Sequence, residues 1–424
     1  MQVTTDQPAR RWLASAALFL AACYLAAVSI QFTAASYSKS RDLISLRRAA
    51  RIDPLNADYA FQAGEREFMA GSPRDALPWF ERASALNPHR AQYWLIRALA
   101  SQSLGDAADE EHSLRQALLV DPRTPDVAWQ AANLYLAQGS QDEAMKEFRV
   151  VLENDPVLVQ RAIQTCWKAR PDVEFLLRQV VPPAAHVAFL DFLISKNENA
   201  AAAMVWDKIV ADHQKIGRPH LFDYMRHLLA YRDTAQAVRV WQQGAELAEL
   251  QAYQPSSQNL IVNGDFSLEV LDAGFDWIHH KTPGVSLALD PNETRSSPRS
   301  LRIIFDGAGM EDAGIRQIIP LEPNTGYEFS SFYKAQDMGG AGGARFTIQD
   351  LYSEAQLYAS DDLANADFWK KVSGGFTTAQ NTRLVVLKIA REPAGSPIRG
   401  KLWIDGLRLT LASAANATTP GENR

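Results

Sequence analysis

Four prolines spaced 34 residues apart constrain the fold of this chain more strongly than any other feature of its sequence. Each proline follows an acidic or amide residue: Asp53-Pro54, Asn87-Pro88, Asp121-Pro122 and Asp155-Pro156. A period of this length is typical of repeated pairs of antiparallel helices, in which one pair cannot bury its own apolar face and therefore stacks on the next. The spacing predicts an array of helix pairs over residues 41–156.

Small and bulky residues recur between these prolines with the same period. The small residues at one position are Gly64, Ala98 and Ala132, and the bulky residues at another are Phe80, Leu114 and Phe148. Small residues allow two helices to cross closely, whereas bulky residues fill the packed face. The period, this pattern and the closing proline together resemble the tetratricopeptide repeat.

Helical periodicity continues beyond the last of these prolines without the motif. We therefore predict tetratricopeptide-like helical repeats over residues 41–250, the later ones degenerate. The resemblance implies a concave groove that binds a peptide or a helix of a protein partner. The alternative is a spacer that holds another domain away from a membrane.

The N-terminal segment is apolar over a length that can cross a membrane. Residues 12–30 contain no charged side chain, and small or apolar residues continue to Ala35. At about 1.5 Å per residue this stretch spans a hydrocarbon core of about 30 Å. We predict that residues 1–37 form a cytoplasmic tail and a transmembrane anchor. The alternative is a lipoprotein, because Leu20-Ala21-Ala22-Cys23 resembles the lipobox at which bacterial lipoproteins are cleaved and acylated.

The basic residues that flank this segment lie on both of its sides. Arg10 and Arg11 precede it, and five others follow it: Lys39, Arg41, Arg47, Arg48 and Arg51. Counted alone, they place the bulk of the chain in the cytoplasm. The later arginines, however, belong to a predicted helix, so the orientation depends on what the C-terminal domain binds.

Charge and cysteine content exclude several classes of function. The formal net charge of −6 offers no basic field for a polynucleotide, so we expect no nucleic-acid partner. Two cysteines cannot form a disulfide framework or a thiolate zinc cluster. The sequence has no nucleophile elbow or phosphate-binding loop, and the adjacent acids Glu311-Asp312 and Asp361-Asp362 are typical of solvated loops. The chain is therefore predicted not to be an enzyme.

The pattern of the sequence changes after a predicted linker at residues 251–258. From Asn259 onward, apolar and polar residues alternate in about nine short segments, with no helical segment between them. Alternation of this kind predicts an antiparallel sandwich of two sheets over residues 259–411. Residues 412–424 are predicted to be a disordered tail.

Several blocks of this region resemble the jelly-roll carbohydrate-binding modules of families four and nine. The blocks are NLIVNGDF from Asn259, Trp277, the stretch IRQIIPLEPNTGYEFSSFYKA, WKKVSGGFT from Trp369 and LWIDGL from Leu402. The resemblance implies a module that holds a polysaccharide on a concave sheet face without cleaving it. Aromatic rings would stack on the C–H faces of the sugars, while amides and charges bind the hydroxyl groups.

Seven residues have the chemistry expected of such a site. The candidates are Trp277, His279, Tyr333, Gln349, Tyr352, Tyr358 and Lys388. A core position remains the alternative for Trp277, whereas Tyr352 and Tyr358 are interpreted as exposed loop aromatics. The resemblance also implies a structural calcium ion, for which Asp265, Glu269 and Asp405 are the candidate ligands. Members of these families often have a glutamate directly after the phenylalanine that corresponds to Phe266, whereas this chain has Ser267 there. No other cofactor is expected.

The predicted fold class is multidomain: a transmembrane helix, an all-α tetratricopeptide-like solenoid and an all-β jelly-roll sandwich. The predicted function is that of a bacterial envelope protein, anchored in the inner membrane by a single pass, with its soluble part in the periplasm or outside. It binds polysaccharide through the sandwich and a protein partner through the repeats, in exopolysaccharide assembly or export. Two alternatives are a cytoplasm-facing scaffold that binds only protein and a diverged polysaccharide-degrading enzyme.

Overall fold

The computed structural model describes residues 8–295 and 298–412, with side chains from Trp12 onward. These residues form two compact units, one ending at Val205 and the other beginning at Trp206. The division falls inside a helix, Asn199–Ala211. The predicted tail lies outside the described residues except for Ala412.

The first unit is helical. Its helices are α1 (Pro8–Ser38), α2 (Leu43–Ile52), α3 (Ala57–Met69), α4 (Pro73–Leu86), α5 (Ala91–Leu104), α6 (Ala107–Val120), α7 (Pro125–Gln138), α8 (Gln141–Asn154), α9 (Val159–Ala169), α10 (Val173–Phe175), α11 (His186–Ser195) and the start of α12 (Asn199–Ala211). A π-helical turn, Leu176–Val180, and a 3₁₀ turn, Pro183–Ala185, precede α11.

Three helix pairs carry the 34-residue repeat: α3 with α4, α5 with α6, and α7 with α8. The turn inside each pair contains a glycine with positive φ, at Gly71, Gly105 and Gly139. This left-handed conformation is accessible to glycine without the steric cost of a Cβ atom. The three glycines are also 34 residues apart, so the repeat fixes the turns as well as the helices.

The small residues of the repeat lie where two helices cross. Gly64 of α3 is buried, and a Cβ atom at this position would lie 2.6 Å from the ring of Phe80 in α4. Phe80 is itself fully buried among alanines such as Ala76 and Ala83. Close crossing therefore requires a small residue here, as the periodic pattern predicts.

Helix α1 has the length and composition of a membrane span. Within Trp12–Ser38, the most apolar window of 18 residues has a mean hydropathy of 2.2 and is unburied. Its large apolar side chains, such as Phe19 and Tyr24, are exposed. Cys23 is exposed and lies inside the helix rather than at its end.

In its described residues, the second unit contains the rest of α12, two further α-helices, a 3₁₀ turn at Gln251–Tyr253 and ten strands. The helices are α13 (Arg218–Ala230) and α14 (Thr234–Leu247). The strands are β1 (Trp277–His279), β2 (Val285–Asp290), β3 (Ser300–Gly309), β4 (Asp312–Pro320), β5 (Gly326–Gly339), β6 (Gly343–Asp350), β7 (Gln356–Ala359), β8 (Ala366–Thr377), β9 (Leu384–Glu392) and β10 (Pro397–Leu411).

The strands form two antiparallel five-stranded sheets. The first sheet has the order β1-β4-β9-β6-β7 and the second has the order β2-β3-β10-β5-β8. Apolar side chains from both sheets, including Ile315, Phe346, Phe329 and Ile404, form one core between them. The predicted fold class, helical repeats followed by a β-sandwich, is confirmed.

Helix α14 packs on the sandwich through a buried tryptophan. The ring of Trp241 lies 5.8 Å from the ring of Phe275, and its Nε1 donates a hydrogen bond to the carbonyl oxygen of Tyr253. The hydroxyl of Tyr253 in turn donates to the carbonyl oxygen of Glu269 at 2.9 Å. The segment predicted as a linker, residues 251–258, thus contacts both α14, which precedes it, and Glu269, which follows it.

Candidate functional site

The outward-facing side of the first sheet carries two of the polar side chains that the sequence singles out, Gln349 and Lys388. Two cross-strand rows define this first-sheet face. One row contains Ile278, Arg316, Lys388 and Thr347, and the other contains Ile318, Val386 and Gln349. Their neighbours along each strand point into the core, because side chains alternate between the two sides of a strand.

The first-sheet face combines cations, an amide and a hydroxyl with aliphatic side chains. Arg316 is exposed, while the Nζ atom of Lys388 lies 3.9 Å from Asp312 Oδ2. Thr347 Oγ1 is buried and has no hydrogen-bond partner among the described residues.

Helix α13 covers one part of this face, and a half-open cavity of about 370 Å³ lies between them, which we call the α13 cavity. Its roof comes from Phe222, Arg226 and Leu229 of α13. Its floor comes from Ile278, Arg316 and Ile318 of the first sheet, and Asp272 and Tyr352 also line it. The volume lies within the range of about 300 to 1,000 Å³ that is typical of ligand sites.

Tyr352 closes one end of the α13 cavity. Its hydroxyl donates a hydrogen bond to the carbonyl oxygen of Leu229 at 3.1 Å, and the guanidinium of Arg232 lies 5.1 Å from its ring centroid. Burial raises the pKa of the Tyr352 hydroxyl, so the group stays protonated and donates at neutral pH. The residue therefore faces the helix and is half-buried, in contrast to the exposed loop aromatic that the sequence suggested.

Lys388 and Gln349 are the predicted site residues that the structure places together on the first-sheet face. His279 lies on the neighbouring edge strand, and its Nδ1 is 2.5 Å from Asp272 Oδ1. That these three residues contact a glycan stays a prediction.

Trp277 and Tyr333 are corrections to the predicted site. Both side chains are only 2% exposed, so neither can contact a polysaccharide at the surface. The ring of Trp277 stacks on Phe266 at 5.3 Å, and its Nε1 donates to the carbonyl oxygen of Asn263. Tyr333 shares the inward side of β5 with Phe329. Alternation along a strand identifies two sides but does not say which one is buried.

Tyr358 also points toward the interior of the sandwich. Its ring lies 5.5 Å from the ring of Phe329 and contacts the backbone at Gly374, where a Cβ atom would clash with it. The side chain is half-buried and belongs to the packing at the edge of the core. It does not lie on the first-sheet face.

The three carboxylates predicted to bind calcium have other partners. Asp265 Oδ1 accepts hydrogen bonds from Ser267, and Glu269 forms an ion pair with Arg299 at 2.7 Å. Asp405 is buried, and its Oδ2 accepts a hydrogen bond from the backbone N–H of Arg295. Among the described residues, no group of three His, Cys, Asp or Glu side chains could hold a metal ion. That Asp265, Glu269 and Asp405 bind a calcium ion stays a prediction.

Neither a protein-family model nor a curated protein sequence matches the chain. Solved structures similar to parts of it include tetratricopeptide-repeat proteins and carbohydrate-binding modules. A crystal structure of MamA is 18% identical over 37% of this chain and 88% of its own, with a TM-score of 0.30. A CBM4 structure is 14% identical over 36% of this chain and 99% of its own, with a TM-score of 0.29.

A third similar structure is the second TPR of Spaghetti bound to an HSP90 peptide. It is 22% identical over 23% of this chain and 92% of its own, with a TM-score of 0.22. The solved structures thus include both kinds of protein that the sequence resembles.

Several residues of the site were missed by sequence reasoning. Arg316 and Thr347 lie on the first-sheet face, and Phe222 and Arg226 lie on the roof of the cavity. A signal for Arg316 exists, because this cation interrupts the apolar run GIRQIIPL. The residues of α13 have no such signal, since only tertiary packing brings the helix to the sandwich.

Proposed function

We propose that this chain is a membrane-anchored, non-catalytic protein that binds a polysaccharide on the first-sheet face and a protein partner through its helical repeats. One observation carries the proposal: Arg316, Lys388 and Gln349 share an outward sheet face with aliphatic side chains and an adjoining cavity of about 370 Å³. Cations and amides bind sugar hydroxyl groups, and aliphatic side chains contact the C–H faces of pyranose rings.

The repeats supply the second binding surface of the proposal. Stacked helix pairs such as α3–α4 and α5–α6 form solenoids with extended concave surfaces, and these surfaces suit a peptide or a helix. We therefore propose that the repeats bind the protein partner and that no part of the chain binds nucleic acid.

Helix α1 supports a membrane anchor in this proposal. An exposed apolar helix of 27 residues, Trp12–Ser38, is long enough to span a bilayer. We place the chain in a bacterial inner membrane with its soluble part in the periplasm or outside, where it acts in exopolysaccharide assembly or export. The uncleaved anchor is preferred to a lipoprotein, because Cys23 lies within a continuous helix.

Binding of the purified full-length chain to a panel of polysaccharides tests the proposal. We expect at least one polymer to be retained, and the double variant Gln349→Ala/Lys388→Ala to bind it about tenfold more weakly, because two hydrogen-bonding groups are lost. The control is Lys371→Ala, which removes an exposed cation from the second sheet. Retention of no polymer, or unchanged affinity in the folded double variant, would overturn the assignment.

The runner-up function is a cytoplasm-facing scaffold whose repeats and sandwich both bind protein. The observation that favours it is the basic charge that directly follows α1, at Lys39 and Arg41. Basic residues next to a membrane span usually remain in the cytoplasm.

A further inference from the structure

The roof of the α13 cavity is fixed to the sandwich by specific contacts. The Tyr352 hydroxyl binds the Leu229 carbonyl, and Arg232 stacks on the Tyr352 ring. The following helix is attached through Trp241 and Phe275. Because several contacts hold the two helices, α13 presents its side chains to the sheet in one arrangement.

The charges that line the cavity favour an anion. Arg316 on the floor forms no ion pair with any residue that the structure describes. Arg226 on the roof forms an exposed ion pair with Asp223 of its own helix at 2.7 Å, and no other ion pair within the part of the chain that the structure describes. The one acid on the lining, Asp272, already accepts hydrogen bonds from the backbone N–H and the ring of His279. Two guanidinium groups and one carboxylate thus line the cavity, and the lining carries a net positive charge of one.

Apolar groups surround the Arg316 guanidinium on both sides of the cavity. Ile278 and Ile318 flank Arg316 on the floor, and Phe222 and Leu229 face it from the roof. Such walls match the C–H faces of a pyranose ring. Arginine binds a carboxylate through two parallel hydrogen bonds. A sugar ring that carries a carboxylate satisfies both features.

We propose that the α13 cavity binds a uronic-acid residue of an acidic polysaccharide, with the carboxylate on Arg316 and the ring between the first sheet and α13. The inference rests on the proposed function, in which the sandwich binds a glycan. It adds the chemical class of that glycan. It also makes the last helix pair, rather than the sandwich alone, half of the binding site.

The test compares binding of polygalacturonate with binding of the same polymer after its carboxyl groups have been reduced to alcohols. The full-length chain is expected to bind the acidic polymer at least about tenfold more tightly. Arg316→Ala is expected to abolish this preference, and Phe222→Ala to weaken acidic binding several-fold. Lys371→Ala on the second sheet is the matched control, and it removes the same charge without effect. Higher salt is expected to weaken the acidic complex alone.

Four experimental outcomes would each refute a different part of the proposal. Equal binding of the acidic and the reduced polymer would refute the uronic-acid assignment and leave glycan binding intact. An effect of Arg316→Ala without an effect of Phe222→Ala would refute the shared site. Displacement of the polymer by a short peptide through its C-terminal carboxylate would assign the cavity to a protein partner instead. Binding of neither this polymer pair nor any other polysaccharide would refute the proposed function itself.

Discussion

Asp276 is a buried acid whose environment disfavours its charged form. Its Oδ2 accepts a hydrogen bond from the backbone N–H of Leu271 at 2.8 Å, whereas its Oδ1 has no partner among the described residues. Burial raises the pKa of this carboxyl group to about 6. Between about pH 4 and pH 6 the folded chain keeps a proton that the unfolded chain releases. The free energy of unfolding therefore falls as the pH rises through this range, by on the order of 2 kcal/mol.

Replacing Asp276 with asparagine is expected to remove this pH dependence. An asparagine still accepts the hydrogen bond from Leu271 but cannot ionise. We expect Asp276→Asn to raise the unfolding free energy of the second unit by about 1 to 2 kcal/mol at pH 7.5 and to change it little at pH 4. Hydrogen exchange of strands β1 and β4 during urea unfolding measures the effect. The control Asp361→Asn removes an exposed charge. An equal change at both pH values would contradict the assignment.

Individual residues also show which features of the site could not be predicted from the sequence. The alternation in YEFSSFYKA identifies two sides of β5, but the aromatic residues that suggested stacking on sugar, such as Tyr333, form the core instead. Aromatic and aliphatic side chains serve a core equally well, so their chemistry does not identify the outer side. Lys388 was identifiable, because a charged residue inside an apolar strand is rarely buried without a partner.

At the scale of elements, the contact between α14 and the sandwich depends on one glycine. Gly274 has a φ of +63°, and a Cβ atom there would clash with the ring of Trp241. The backbone conformation and the close approach thus both require glycine at this position. A side chain at residue 274 would push α14 away from the sheet edge.

We expect Gly274→Ala to destabilise the second unit by about 2 to 4 kcal/mol, from backbone strain together with the clash. Gly395→Ala is the matched control, because Gly395 has a φ of +74° but nothing within 4 Å of a Cβ atom. Gly395→Ala should lower the free energy of unfolding by the backbone strain alone, which is about 1 kcal/mol. Denaturant unfolding with hydrogen exchange of α14 measures both variants. An equal loss of unfolding free energy in both variants would show that the contact with Trp241 does not contribute to the stability of the second unit.

The elements themselves were largely predictable, because they depend on local periodicity. The 34-residue period located the helix pairs, and two-residue alternation located most strands. The position of α13 over the first sheet depends instead on contacts between residues far apart in the sequence, such as Leu229 and Tyr352. No local pattern encodes such a contact, so half of the candidate site was invisible to sequence reasoning.

At the scale of the whole molecule, the proposed orientation predicts the location of the C-terminus. Alkaline phosphatase fused after residue 424 should be active, because the enzyme folds only outside the cytoplasm, while a fusion that ends at residue 7 should be inactive. Cys23→Ala should leave the chain in the membrane fraction, since α1 is the proposed anchor. An inactive C-terminal fusion would support the cytoplasmic scaffold. A mature wild-type chain that begins at Cys23, with no such cleavage in the Cys23→Ala variant, would support the lipoprotein.

The boundary inside α12 affects how this protein can be divided in the laboratory or in evolution. A fragment that begins at residue 251 would leave behind Trp241 and expose the apolar surface of Phe275 to water. Such a fragment is expected to aggregate. A transplantable unit that contains the sandwich must therefore begin near Trp206, so exchanging this sandwich for another one also exchanges the last two helices.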